Sequence, residues 1–165
     1  MALLITYAEL YANTSIINNI DESILTPHIT TAQDIELRNL LGQKLVEKLE
    51  SDYSGGSISG YYATLRSDHV VKVLSNYAAA YALPFISLKI AKGGVYKIDD
   101  GERTVAAETS DIRFLVEQYR NTAQYYADRM LDYLIANNSQ FPEYYTNTTG
   151  DVYPKHKPFR TNILL

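Results

Sequence analysis

Ile112, Val116, Tyr119, Ala123, Tyr126, Met130 and Leu134 recur at steps of four or three along the second half of this chain. That repeat places all seven on one face of an α-helix. The spacing predicts a helix from about Ile112 to Ala136, capped by Thr109, Ser110 and Asp111, roughly 40 Å long at 1.5 Å per residue. Arg113, Glu117, Asp128 and Asp132 fall on its solvated side. A one-sided rod of this length has to lay its stripe against other helices, so the class it imposes is a helical bundle.

The rest of the sequence supplies the partners. Thr6 and Glu9 form a capping box for a short helix from Tyr7 to about Ala12. A second helix is expected to start near Asp21 or Pro27 and to run to Leu41, with Ile24, His28, Ala32 and Ile35 on one face and Gly42 breaking it. Leu41, Leu45 and Leu49 continue at i, i+4, i+8 to about Glu50, and residues 51–60 (SDYSGGSISG) read as a flexible connection. Ser67 and Asp68 offer N-caps for a long helix from His69 to about Ala91, kinked at Pro84 and rich in alanine at 78–80 and 82. Lys92, Gly93 and Gly94 end it.

Two segments are not helical in pattern. Residues 95–105 (VYKIDDGERTV) place β-prone runs on either side of Asp99-Asp100-Gly101, the signature of a small β-hairpin. After Asn138 helical periodicity stops, and the remaining residues carry prolines, scattered aromatics and an apolar run at Ile163-Leu164-Leu165. Such a stretch either wraps its own domain or docks on a neighbour, and the second reading is preferred. The expected organisation is therefore a mostly α domain over 1–138, a bundle of about four to five helices including the hairpin, followed by an extended docking arm over 139–165. Interface residues are expected on the arm at Phe141, Tyr144, Tyr145, Tyr153, Phe159 and Arg160, and on the hairpin at Tyr96, Lys97, Asp99, Asp100 and Arg103.

Little in the composition points to catalysis. The chain has no cysteine, which removes disulfides, thiolate metal sites and cysteine nucleophiles. Its three histidines, His28, His69 and His156, have no metal-ligand spacing, and no serine stands in a G-x-S-x-G turn. Gly55, Gly56 and Gly60 lack the GK[ST] ending of a phosphate loop, and Asp99, Asp100 and Glu102 lack calcium-loop spacing. Asp128 and Asp132 share a helix face but have no E-x-x-H partner for a di-metal centre. No catalytic residue, cofactor or metal is expected. A net charge of −4 argues against gripping phosphate; Lys155, His156, Lys157 and Arg160 form the one basic cluster of note. No apolar run approaches a membrane span, and the sequons at Asn13, Asn137 and Asn147 follow no basic leader, so a cytosolic origin is expected. Fifteen tyrosines against four phenylalanines and no tryptophan suit half-buried and interface positions.

The run Ile29-Thr30-Thr31-Ala32-Gln33, then Leu40-Leu41-Gly42 with Leu45 and Leu49, is followed by an alanine-rich long helix, a glycine-led hairpin, a second long helix and an irregular tail opening Phe141-Pro142. This order resembles the head–tail connector (head-completion or adaptor) proteins of tailed bacteriophages, most of all versions from phages of gut Bacteroidetes. The resemblance implies a non-catalytic subunit of a ring beneath the portal, commonly of about twelve copies, which extends the DNA channel and receives tail components. It also implies partners: the portal protein, neighbouring copies and other tail or ring proteins, with DNA passing through unbound, no membrane, and residence at the head–tail junction of the virion. The extended terminal segment, reaching a neighbour or the portal, would fall on 139–165, and a loop lining the channel on 95–105. A small cytosolic adaptor acting as monomer or dimer is the alternative.

Overall fold

The computed structural model describes residues 2–16, 20–86, 88–91, 94–97 and 109–154. Among these, the helices in chain order are α1 (Tyr7–Asn13), α2 (Glu22–Thr31), α3 (Arg38–Leu41), α4 (Gln43–Ser54), α5 (Gly60–Thr64), α6 (Val71–Ile86) and α7 (Thr109–Ala136). Two π-helical turns, Ala32–Leu37 and Leu65–Val70, fuse α2 to α3 and α5 to α6. Two 3₁₀ turns, Asn138–Gln140 and Pro142–Tyr144, follow α7. The mostly helical class expected from the stripe is what the chain adopts.

α6 is the centre. Val71, Val73, Leu74, Ser75, Asn76, Tyr77, Ala78, Ala79, Ala80 and Ala82 are all buried, so this helix is covered on every side. Its alanines admit α1, α2 and α7 closely, and α7 runs antiparallel to it: His69 stacks on Tyr133 at one end and Arg120 lies over Tyr81 at the other. α7 buries Ala123, Ala127, Met130, Leu131 and Leu134.

The π turns set which residues of the fused helices face inward. Leu25, Ile29, Gln33, Leu37 and Leu41 are buried at uniform steps of four. In a straight α-helix each step of four drifts by about 40°, so the stripe would wind about 160° away from α6 over that span. A turn with i→i+5 bonds slows the rotation and keeps it facing inward. Of the residues read on one face, Ile24 and Ile35 are exposed, His28 is half-buried and Ala32 is buried. The five-residue step from Leu65 to Val70, both buried, marks the second π turn. Ser67 and Asp68 therefore lie inside a continuous helix that begins at Gly60, not at its N-cap.

Three further boundaries differ from expectation. α4 runs to Ser54, four residues into the segment read as flexible. α6 stops at Ile86 and not near Ala91, because Pro84 removes the N–H that would bond the Ala80 carbonyl and the next residues become strand. The pairing is antiparallel between β1 (Leu88–Ala91) and β2 (Gly94–Lys97), with Leu88 opposite Lys97 and Ala91 opposite Gly94. The hairpin expected over 95–105 with its turn at 99–101 is thus not supported: Tyr96 and Lys97 pair backward with Lys89 and Leu88, and residues 98–105 lie outside those described.

The chain's beginning is bound to the bundle by polar groups. The buried Gln33 accepts from the Leu4 amide at 2.9 Å and donates to the Ala2 carbonyl at 2.8 Å and to Glu50 at 2.9 Å. Arg66 donates to the Leu4 carbonyl at 2.9 Å and forks onto both Glu9 oxygens at 2.7 and 2.6 Å, with its guanidinium over the Tyr53 ring. These bonds let Leu4 and Ile5 enter the core without leaving extended backbone unpaired.

Candidate assembly surfaces

After α7 the chain turns back on its own domain. Phe141 is fully buried, edge-on to Tyr62 at 5.2 Å and Tyr61 at 6.5 Å and tilted on Tyr133 at 5.9 Å. The Tyr62 hydroxyl donates to Glu143 at 2.6 Å, and burial together with that carboxylate holds the phenol well above its usual range. Tyr144 is buried beside it, its phenol pushed up to about 12 chiefly by burial. Further on, the Gln43 amide donates to the Val152 carbonyl at 2.9 Å, the Lys44 amide to Asn147 at 3.2 Å, and Lys44 pairs with Asp151 at 3.8 Å.

The expected arm residues therefore separate. Phe141 and Tyr144 belong to this chain's own core, while Tyr145 and Tyr153 are 52% and 58% exposed. Residues 139–154 are part of the folded domain through these contacts, and the basic cluster Lys155, His156, Lys157 and Arg160, with Phe159, lies outside the described residues. On the other expected surface, Tyr96 and Lys97 sit on β2, and Asp99, Asp100 and Arg103 lie outside the described residues.

A surface that the sequence did not single out appears on α7. Its apolar stripe continues past the point where α6 ends, and no residue from Thr109 to Thr122 is buried. Ile112 and Val116, at the start of the stripe, face Pro84 across a groove of about 660 Å³ that is also lined by Arg113, Glu117 and Arg120. Phe114 and Leu115 are exposed on the remaining faces of the same turns. The signal was present in the mismatch between two readings: a stripe starting at Ile112 and a proline at 84 that cuts its partner short.

On another flank of α6, the outer face of α2 and its π turn presents Ile24 (45% exposed), His28 and Ile35 (49% exposed). Asp21, Glu22 and Asp34 stand beside them, all exposed, Asp34 with Arg38 at 3.1 Å. The His28 ring lies tilted on Phe85 at 4.9 Å, and burial lowers its pKa. Between the two flanks, the Tyr81 hydroxyl donates to Glu36 at 2.7 Å while Arg120 lies 5.9 Å from its ring. Burial, then the Glu36 bond, pushes that phenol up to about 12.

Among the described residues no three His, Asp or Glu side chains converge as metal ligands. No helix of the described residues is long and apolar enough to cross a membrane. The sequence profile of a family of unknown function, DUF6712, matches residues 37–154, from the π turn of α2 to the clasp at Pro154. The chain belongs to the DUF6712 family. Neither the curated proteins nor the solved structures give a match. For this DUF6712 member the matched span takes in the α6–α7 pair, the groove and the aromatic slot around Phe141, but leaves out α1 and α2.

Proposed function

We propose that this DUF6712 chain is a non-catalytic structural subunit of a virion, set in a ring between portal and tail. The observation that supports it is the start of α7, where Ile112 and Val116 line an apolar groove against Pro84 that no described residue fills. Exposed apolar surface rimmed by charge suits protein contact, and its cost to a free monomer is recovered on assembly. In this reading about twelve copies close a ring. The ring extends the DNA channel, docks tail components, and is built in the host cytoplasm before residing at the head–tail junction. The net charge of −4 suits a wall along which DNA passes without specific binding. Segment 95–105, with Tyr96, Lys97, Asp99, Asp100 and Arg103, is assigned to the channel or a neighbour. Tyr145, Tyr153, Phe159 and Arg160 are assigned to the portal or the next copy.

Native mass spectrometry of the chain mixed with the portal protein of the same genome tests this. A complex of about twelve copies on the portal is expected; a chain that ignores the portal, or a genome without a portal gene, overturns it. One observation favours a second reading, a small protein-binding adaptor acting as monomer or dimer: residues 141–154 are already bound to their own domain. Under that reading the chain stays a low oligomer whose residues 139–154 resist protease in the free state.

A further inference from the structure

We propose that the groove side of α7 in one copy receives the outer face of α2 from the next copy, a head-to-tail contact between two different patches. The inference rests on the reading of this chain as a self-assembling subunit and names the surfaces that meet.

Both patches are helical and apolar, Ile24 and Ile35 exposed and Ile112, Val116 and His28 half-buried, and their charges are complementary. The α7 patch is Ile112 and Val116, one turn apart, with Arg113 and Arg120 along one edge and Glu117 beyond them. The α2 patch is Ile24, His28 and Ile35, a stripe on one side of the helix, accompanied by the carboxylates of Asp21, Glu22 and Asp34. A groove between two helix ends accepts a third helix laid by its i, i+4 ridge, which is what Ile24 and His28 form. The guanidinium groups of Arg113 and Arg120 would then lie among carboxylates of the incoming helix, which favours this partner over a second α7 that carries the same two arginines.

α2 reaches α6 at Phe85 through His28, and its π turn reaches Tyr81 through Glu36, whereas α7 reaches Tyr81 through Arg120. The stretch Tyr81 to Phe85 of the central helix thus stands between the two patches, which are different surfaces of one copy. Contacts between unlike patches repeat from copy to copy and close into a ring when the rotation allows.

The test uses the full chain without portal, by native mass spectrometry and sedimentation velocity at about 100 μM, where a contact of micromolar affinity is populated. The wild type is expected to associate beyond the monomer. Val116→Asp and Ile35→Asp are each expected to be monomeric. Mixed in equal amounts they are expected to give a one-to-one heterodimer and nothing larger, because each variant keeps the patch the other has lost. A monomeric wild type, a variant that still associates alone, or a mixture that stays monomeric overturns the proposal. If circular dichroism shows that either variant has lost helix, Ile112→Asp and Ile24→Asp take their places. Portal binding is read separately: self-contact without portal binding overturns the connector reading alone, and portal binding without self-contact overturns this one alone.

Discussion

Replacing Phe141 with alanine empties a slot walled by Tyr61, Tyr62 and Tyr133. The ring is fully buried, so a loss of about 3–5 kcal/mol is expected in urea unfolding. Phe141→Leu should recover most of it. The buried Ser75 hydroxyl has no hydrogen-bond partner among the described residues. An unmade bond of this kind costs about 1–3 kcal/mol, so Ser75→Ala is expected to raise the melting temperature. Titration bounds stability on both sides. Burial lowers the pKa of His28 and of His69 from 6.5. The unfolded chain therefore binds more protons just below that pH, and the contribution of the neutral rings, full above it, is lost as pH falls. On the alkaline side Tyr81 and Tyr144 are pushed up to about 12 from 10.0, so their contribution is full below pH 10.0 and is lost as pH rises through about 12. The melting temperature should be flat between these limits, and His28→Gln with His69→Gln should flatten its acid limb.

At the scale of elements, Gly42 joins α3 to α4 at φ +80 and ψ 162, a region that only glycine enters readily. A β-carbon there would also meet the Asn147 amide nitrogen at 2.8 Å and the Pro154 ring at 2.9 Å. Gly42→Ala is expected to cost at least about 1–3 kcal/mol in urea unfolding and to loosen residues 147–154, seen as faster amide exchange there. α7 should show a gradient under the same measurement. Thr109 to Thr122 carries no buried residue and should exchange ahead of Ala123 to Leu134, which pack on α6. How much of this was legible in the chain follows from which signals are local. The capping box at Thr6 and Glu9, the break at Gly42 and the span of α7 are local and were readable. The buried stripe Leu25, Ile29, Gln33, Leu37 and Leu41 was not, because a 3.6-residue period loses a run of uniform steps of four across a π turn. The core role of Phe141 and Tyr144 was hidden for the same reason: the slot that holds Phe141 is made by α5 and the far end of α7, and no spacing within the tail records it.

For the whole molecule, the two open patches and the tied-down residues 139–154 make separate claims on assembly. If the adaptor reading holds, sedimentation finds a fixed low oligomer at every concentration. If the ring reading holds, the fast-exchanging half of α7 becomes protected only in the assembled state, and that protection is lost in Val116→Asp. The clasp of residues 141–154 across α4 and α5 carries a consequence for biosynthesis. Helices α1 to α6 can dock as they leave the ribosome, but the aromatic slot stays vacant and Gly42 stays unclasped until the last described segment has emerged. A nascent chain paused within α7 would hold the Tyr61 and Tyr62 rings open to water and to chaperones. Completion of this domain, and with it competence to join other subunits, would then wait until Pro154 has emerged.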